Sequence, residues 1–333
     1  MTRAAVFGAG SWGTAFAQVL ADAGAQRVTI WARREEVARS IREDHRNPDY
    51  LPDVELAPQV GATTDPEQAA RHADLVVLAV PSQSLRENLA AWGDVLAQDA
   101  LVVSLMKGIE LGTGLRMSEV IEAAGTDRGR IVVVTGPNLS REIAERQPAA
   151  AVVACTERAA AERVAGLVAA PYFRPYTQTD VVGAEIGGAV KNVIAIAVGM
   201  AEGLGYGDNT KSSLITRGLA EIARLGQALG AEPSTLRGLA GVGDLIATCM
   251  SPLSRNHRVG VALGQGSTVA ELMSVPHQTA EGLKSCRSVV ELAGRHGVDM
   301  PICQGVTAVV DGKATPEQLT GALMSRARKH ELA

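Results

Sequence analysis

The hydrophobic pattern changes character once along the chain. Up to about residue 180, short continuous apolar runs alternate with stretches of helical spacing. The runs cover residues 3–7, 27–31, 75–80, 101–105, 131–135 and 150–154, and most are rich in valine or leucine. A run apolar at every position has both faces buried, so these segments are expected to be strands of a parallel or mixed sheet with helices on either side. Helices are expected between them, for example over 14–23, 82–92 and 117–124. A last strand, 173–177, is expected to lie antiparallel at the sheet edge. Residues 45–58 carry three prolines and few periodic apolar positions, and read as a surface loop. Beyond 180 the strand signal disappears. Over 212–229, Leu214, Ile215, Leu219, Ile222, Ala223 and Leu225 fall on one helical face. The pattern predicts an α/β domain with a doubly wound sheet over 1–180 and an all-helical domain over 181–333. A chain of 333 residues is long for a single core, which agrees with this division.

The first apolar run leads into Gly8-Ala9-Gly10-Ser11-Trp12-Gly13 and then a helix. This order makes the first domain Rossmann-like, because each glycine has a task in dinucleotide binding. Gly8 permits the tight turn, Gly10 lets backbone approach a pyrophosphate, and Gly13 lets the helix pack closely on the strand. The helix N-terminus offers free N–H groups to the anion. The end of the second strand, where NAD sites usually hold an acid for the ribose, reads Trp31-Ala32-Arg33-Arg34. A guanidinium fork there suits a 2′-phosphate. NADP(H) or NAD(H) is therefore the expected cofactor, with NADP(H) favoured. Arg34, followed by two glutamates, also reads as the start of a solvated helix.

Composition narrows the class. Net charge is −4, and no basic stripe with interleaved aromatics is present, so nucleic acid is not an expected partner. Cys155, Cys249, Cys286 and Cys303 form no C-x-x-C pair and have no zinc-type spacing to histidine. A reduced, cytoplasmic protein without a metal site is expected. The first strand begins at once, leaving no room for a signal peptide. No apolar run reaches the ~20 residues of a membrane span, so integral membrane association is not expected.

Polar clusters stand out against this background. Lys107 follows one strand, and Gly136-Pro137-Asn138-Leu139-Ser140 follows another, at ends where open α/β sheets bind ligands. Lys107 is equally readable as a loop lysine in solvent. From 186 to 201 the chain is apolar except for Lys191 and Asn192. A buried ammonium needs a partner or a task, and desolvation moves its pKa toward useful acid–base chemistry. A lysine reaching solvent from the helix end is the other reading. Asp244 and Thr248 are four apart and share a face if helical, although Asp244 after glycine also suits an N-cap. Ser254, Arg255 and Asn256 combine the donors that suit a phosphate monoester.

Taken together, these segments resemble the bacterial NAD(P)-dependent glycerol-3-phosphate dehydrogenases over nearly the whole chain. The resemblance is carried by residues 8–14, 31–33, 107–110, 136–138, 189–195, 203–209, 214–218, 241–244, 248–249, 254–256 and 281–282 in one order. It implies reversible reduction of dihydroxyacetone phosphate to sn-glycerol 3-phosphate, the backbone precursor of phospholipids. It implies Lys191, Lys107 and Asp244 as catalytic residues, with Lys191 the acid–base group. Substrate contacts are implied for Lys107, Gly136, Asn138, Lys191, Asn192, Asp244, Thr248, Ser254, Arg255 and Asn256. Nucleotide contacts are implied for Gly8, Gly10, Ser11, Trp12, Gly13, Arg33, Arg34, Lys107, Ser140, Arg255, Thr279 and Glu281. Ser140 stands where alanine is common, Thr279 where an apolar residue is common, and Asn138 where serine or threonine is frequent. The expected partners are a phosphorylated small molecule and a second copy in a homodimer. A dehydrogenase of another hydroxy acid or sugar phosphate, and a nucleotide sensor without turnover, are the alternatives; the sensor leaves Lys191, Asp244 and Arg255 without a task.

Overall fold

A computed structural model describes residues 2–274, 280–327 and 330. Its strands are β1 (Arg3–Phe7), β2 (Arg27–Trp31), β3 (Arg46–Asn47), β4 (Leu51–Glu55), β5 (Val60–Thr63), β6 (Leu75–Leu78), β7 (Leu101–Ser104), β8 (Ile131–Thr135), β9 (Ala149–Ala154) and β10 (Phe173–Gln178). Eight of them form one sheet in the order β10-β9-β8-β7-β6-β1-β2-β5. From β8 to β5 every neighbour is parallel. The central strands are buried along almost their whole length, as continuous apolar runs require.

Two expectations need correction. The last strand does lie at the sheet edge, but it pairs parallel with β9. The reversal occurs one strand earlier, between β8 and β9. Helix Arg158–Val168 joins β9 to β10, and a helical crossover returns the chain in the same direction. Residues 45–58 are not a plain loop either. There β3 and β4 pair antiparallel, with Asn47, Leu51 and Val54 buried.

Every described element after β10 is a helix. The central one, Val181–Gly203, is buried from Gly183 to Ala201. Asp180 fixes its start by accepting from the Gly183 amide at 2.8 Å and the Glu232 amide at 2.9 Å. This helix also corrects the expectation about membrane spans. It is 23 residues long, and an 18-residue window within it has mean hydropathy 1.6, long and apolar enough to cross a bilayer, yet 94% of that window is buried inside the protein. Glu185, Lys191 and Asn192 interrupt the apolar run in sequence without interrupting the helix.

Helix Arg255–Gly264 crosses the central helix at backbone contact. A Cβ on Gly199 would lie 2.2 Å from the His257 carbonyl oxygen, and one on Gly260 would lie 2.2 Å from that of Ile196. Gly203 and Gly264 repeat the arrangement one turn on, at 2.2 and 2.4 Å from the facing carbonyl oxygens. The central helix is also tied to the first domain. Buried Glu185 receives Arg116 Nη1 at 2.6 Å, the Ser118 amide at 2.8 Å and Ser118 Oγ at 2.6 Å. Burial pushes the Glu185 carboxyl up, and Arg116 and Ser118 pull it back.

Candidate active site

The glycine turn is built as its spacing implies. Gly8 has φ +125°, and a Cβ there would lie 2.5 Å from the Ala79 carbonyl oxygen. A Cβ on Gly13 would lie 2.1 Å from the Gly8 carbonyl oxygen, so helix and strand touch at this point. Gly10, in contrast, faces open space. The helix that follows is Ser11–Asp22, starting earlier than periodicity alone suggested. Gly10 provides no side-chain cap, and the first turn holds no acid. Its N–H groups are left for an anion, which the macrodipole also favours. Trp12 adds a buried indole Nε1 without a hydrogen-bond partner among the described residues. This donor set fits the pyrophosphate of a dinucleotide.

At the end of β2 the two arginines differ. Arg33 is exposed and makes no hydrogen bond or ion pair with any described residue. Arg34 donates from Nη2 to Asp49 and lies 3.8 Å from Glu36. Arg34 also precedes helix Glu35–Asp44, so the reading as a helix start describes it as well.

The second cluster joins the two domains. Lys107, just after β7, donates from Nζ to Asp244 Oδ2 at 2.6 Å and to the Gly136 carbonyl at 3.0 Å. Lys191, on the central helix, donates to Asp244 Oδ1 at 2.6 Å and to Thr248 Oγ1 at 2.5 Å. One carboxylate therefore holds two ammonium groups. Lys191 does not reach solvent from the helix end; its side chain is 7% exposed and that of Asp244 1%. Nor is Asp244 an N-cap, since it forms the first turn of helix Asp244–Met250 itself. A π-helical turn, Leu239–Gly243, delivers it there. That turn is pressed on the central helix, because a Cβ on Gly187 would lie 2.3 Å from the Ala240 carbonyl oxygen.

Around these charges the other expected residues divide. Asn138 leaves both side-chain polar atoms buried and without a partner among the described residues, so its amide is ready for a ligand. Glu281 is drawn to the cluster: burial pushes its carboxyl up, while Arg255, the Ser82 amide, Lys107 and Lys191 pull it down. Arg255 is exposed at the start of its helix, whose cap is Ser254 Oγ accepting from the His257 amide at 3.3 Å. Asn192 and Asn256 engage each other. Asn256 Nδ2 donates to Asn192 Oδ1 at 3.0 Å, and Asn256 Oδ1 accepts from the Gly282 amide at 2.9 Å. That pair locks three helices together beside Lys191. Ser140 opens the short helix Ser140–Ala144 after Asn138. Thr279 lies outside the described residues. Among the described residues no group of three potential metal ligands converges.

Sequence reasoning missed Asn47, which is fully buried and donates from Nδ2 to the Ala9 carbonyl at 2.9 Å and Thr14 Oγ1 at 2.8 Å. It braces the glycine turn. Its only signal was an Asn-Pro-Asp triplet that also marks an ordinary turn.

The pKa of Lys107 is pushed down to about 8, first by burial, then by Lys191, against the pull of Asp244. Below that pH Lys107 is charged; above it the site loses a positive charge. In the reducing direction, kcat/KM for a phosphorylated ketone is expected to fall as pH rises through about 8. Lys107→Arg, which stays protonated, should abolish that inflection in the pH–rate profile. An unchanged inflection would assign it to another group.

A model of the NAD-dependent glycerol-3-phosphate dehydrogenase N-terminus matches residues 3–161, and a model of the C-terminus of the same family matches 180–321. A glycerol-3-phosphate dehydrogenase [NAD(P)+] of Streptomyces avermitilis is 61% identical over 330 residues, covering 99% of this chain and 98% of its own. One from Thermobifida fusca is 58% identical over 332 residues, covering 99% of each. The crystal structure of glycerol-3-phosphate dehydrogenase from Coxiella burnetii superimposes with a TM-score of 0.92 at 32% identity, over 98% of this chain and 99% of that one.

Proposed function

We propose, from the premise that the chain belongs to the NAD-dependent glycerol-3-phosphate dehydrogenase family, that its two-lysine cluster is where a ketone oxygen is protonated. The chain is an NAD(P)-dependent oxidoreductase that interconverts dihydroxyacetone phosphate and sn-glycerol 3-phosphate, the backbone of phospholipids. The observation that carries the site assignment is the sharing of Asp244 by Lys107 and Lys191 in a buried crevice.

The residues of the glycine turn, Gly8, Gly10, Ser11, Trp12 and Gly13, would hold the dinucleotide, with Arg33 at the 2′ position, Arg34 beside it, and Ser140 and Glu281 along the crevice. When bound, the reduced dinucleotide supplies the hydride. Lys191 places its ammonium at the substrate oxygen, where it stabilises negative charge and delivers a proton. Asp244 and Thr248 hold that ammonium in one rotamer. In the oxidative direction the neutral amine of Lys191 accepts the proton. Lys107, fixed between Asp244 and the Gly136 carbonyl, presents a second positive charge to the substrate, and the Asn138 amide offers a donor and an acceptor. Asn192 and Asn256 serve the site chiefly by their mutual bond. The Ser254-capped N-terminus of helix Arg255–Gly264, with the Arg255 guanidinium, receives the phosphate. Arg33, the free guanidinium at the end of β2, supports a preference for NADP(H). The cytoplasm and a homodimer complete this reading; the four cysteines are free and buried, as suits a reducing compartment.

The direct test follows the absorbance of NADPH, and in parallel NADH, with dihydroxyacetone phosphate. Turnover is expected with both; binding of NADPH without turnover would favour a sensor. Arg255→Ala should raise KM for dihydroxyacetone phosphate about 10- to 100-fold, the worth of a lost charged hydrogen bond, with a smaller change in kcat. Steady-state kinetics check this, and an unchanged KM would remove Arg255 from the phosphate site.

A further inference from the structure

The β3–β4 hairpin meets the nucleotide crevice twice. Through Asn47 it is bonded to the glycine turn at Ala9 and Thr14. Through Asp49, two residues on, it accepts a hydrogen bond from Arg34. The hairpin thus brings a carboxylate from outside the β1–β2 unit to the end of β2. Of the two guanidinium groups there, Arg34 is already paired and Arg33 is not.

We propose that Asp49 is a specificity-determining residue for the dinucleotide. By holding Arg34, it leaves Arg33 alone to meet a 2′-phosphate, and so keeps the site open to phosphorylated and unphosphorylated dinucleotides alike. The inference rests on the reading of Arg33 as the partner of the 2′-phosphate. A phosphate drawing on both arginines would gain a second bidentate contact. With Asp49 in place, that gain is offset by the loss of the existing pair. The side chains of Arg34 and Asp49 are 36% and 32% exposed, so solvent screens the pair and the effect is modest. The substitution site is exposed, and its removal leaves the Asn47 brace untouched.

The test is calorimetric titration with 2′,5′-ADP and with ADP as probes, so that turnover is not involved. Asp49→Asn should tighten binding of 2′,5′-ADP about fivefold, the scale of a screened surface pair, and leave ADP unchanged. The gain should vanish in the Asp49→Asn, Arg34→Ala double variant. No gain, an equal gain for both probes, or a gain that survives without Arg34 would overturn the proposal. Arg33→Ala tests the underlying reading separately: it should weaken 2′,5′-ADP at least tenfold relative to ADP, about the worth of one charged hydrogen bond. If it does so while Asp49→Asn changes nothing, the role of Asp49 alone fails. If it does not, the reading of Arg33 fails with it.

Discussion

Lys191→Ala should lower kcat by about 10²–10⁴-fold while leaving nucleotide binding close to that of the unaltered protein. The loss is large because the ammonium sits in a crevice where water does not compete, with its side chain 7% exposed. The fold should survive. Alanine favours the helix, and Asp244 keeps its bond to Lys107. The glycine turn proposed above to hold the nucleotide lies in the other domain, far along the chain from residue 191. Steady-state rates alongside a fluorescence titration with NADPH separate the two effects. A rate near normal would end the assignment of Lys191 as the proton donor.

Asp244→Asn should be the most damaging substitution for stability at the site. The amide keeps the volume and removes the charge that holds Lys107 and Lys191. The two ammonium groups then lose the carboxylate they share, with Glu281 the remaining acid near them, a loss on the order of 3–5 kcal/mol. A fall in Tm on the order of 10 °C at neutral pH is expected. The sign of the pH dependence distinguishes charge from shape. With the carboxylate gone, Lys107, whose pKa burial and the Lys191 charge already push down, is easier still to deprotonate in the folded than in the unfolded chain. The unfolded state then binds more protons, and raising pH toward that of an ordinary lysine should recover part of the lost stability. A thermal melt series across pH reads this directly. Equal melting of both proteins at neutral pH would show that Asp244 does not neutralise the pair.

Much of this architecture was legible before any coordinates. The glycine turn is readable because backbone approach leaves no substitute for glycine at Gly8 and Gly13. Lys191 is readable because a charge in an apolar helix is costly and therefore conspicuous. Strand direction was not readable: residues 173–177 have the same hydropathy whether parallel or antiparallel, and the helix before them decides. The β3–β4 hairpin was hidden because the buried positions of its short strands, Asn47, Leu51 and Val54, do not alternate, and prolines interrupt the segment. Asn47 and Asp49 were hidden with it. The Asp244 bridge was half legible. Its spacing to Thr248 is helical, but the partner lysines lie 53 and 137 positions away, and only the folded chain brings them together. Asn192 and Asn256 were legible only as polar groups; that each is the other's hydrogen-bond partner, across 64 positions of chain, only the folded protein shows.

The crossing of helices Val181–Gly203 and Arg255–Gly264 has a consequence for evolvability. Where two helices meet through side chains, exchanging one residue for a larger or smaller one shifts them by degrees, and the space between them can be tuned. Here peptide groups meet directly at Gly199, Gly203, Gly260 and Gly264. No smaller residue exists to bring the helices closer, and any larger one forces them apart as a unit. The spacing from Lys191 to the helix start at Arg255 has no intermediate settings, so this half of the protein acts as a fixed gauge for the length of whatever lies between them.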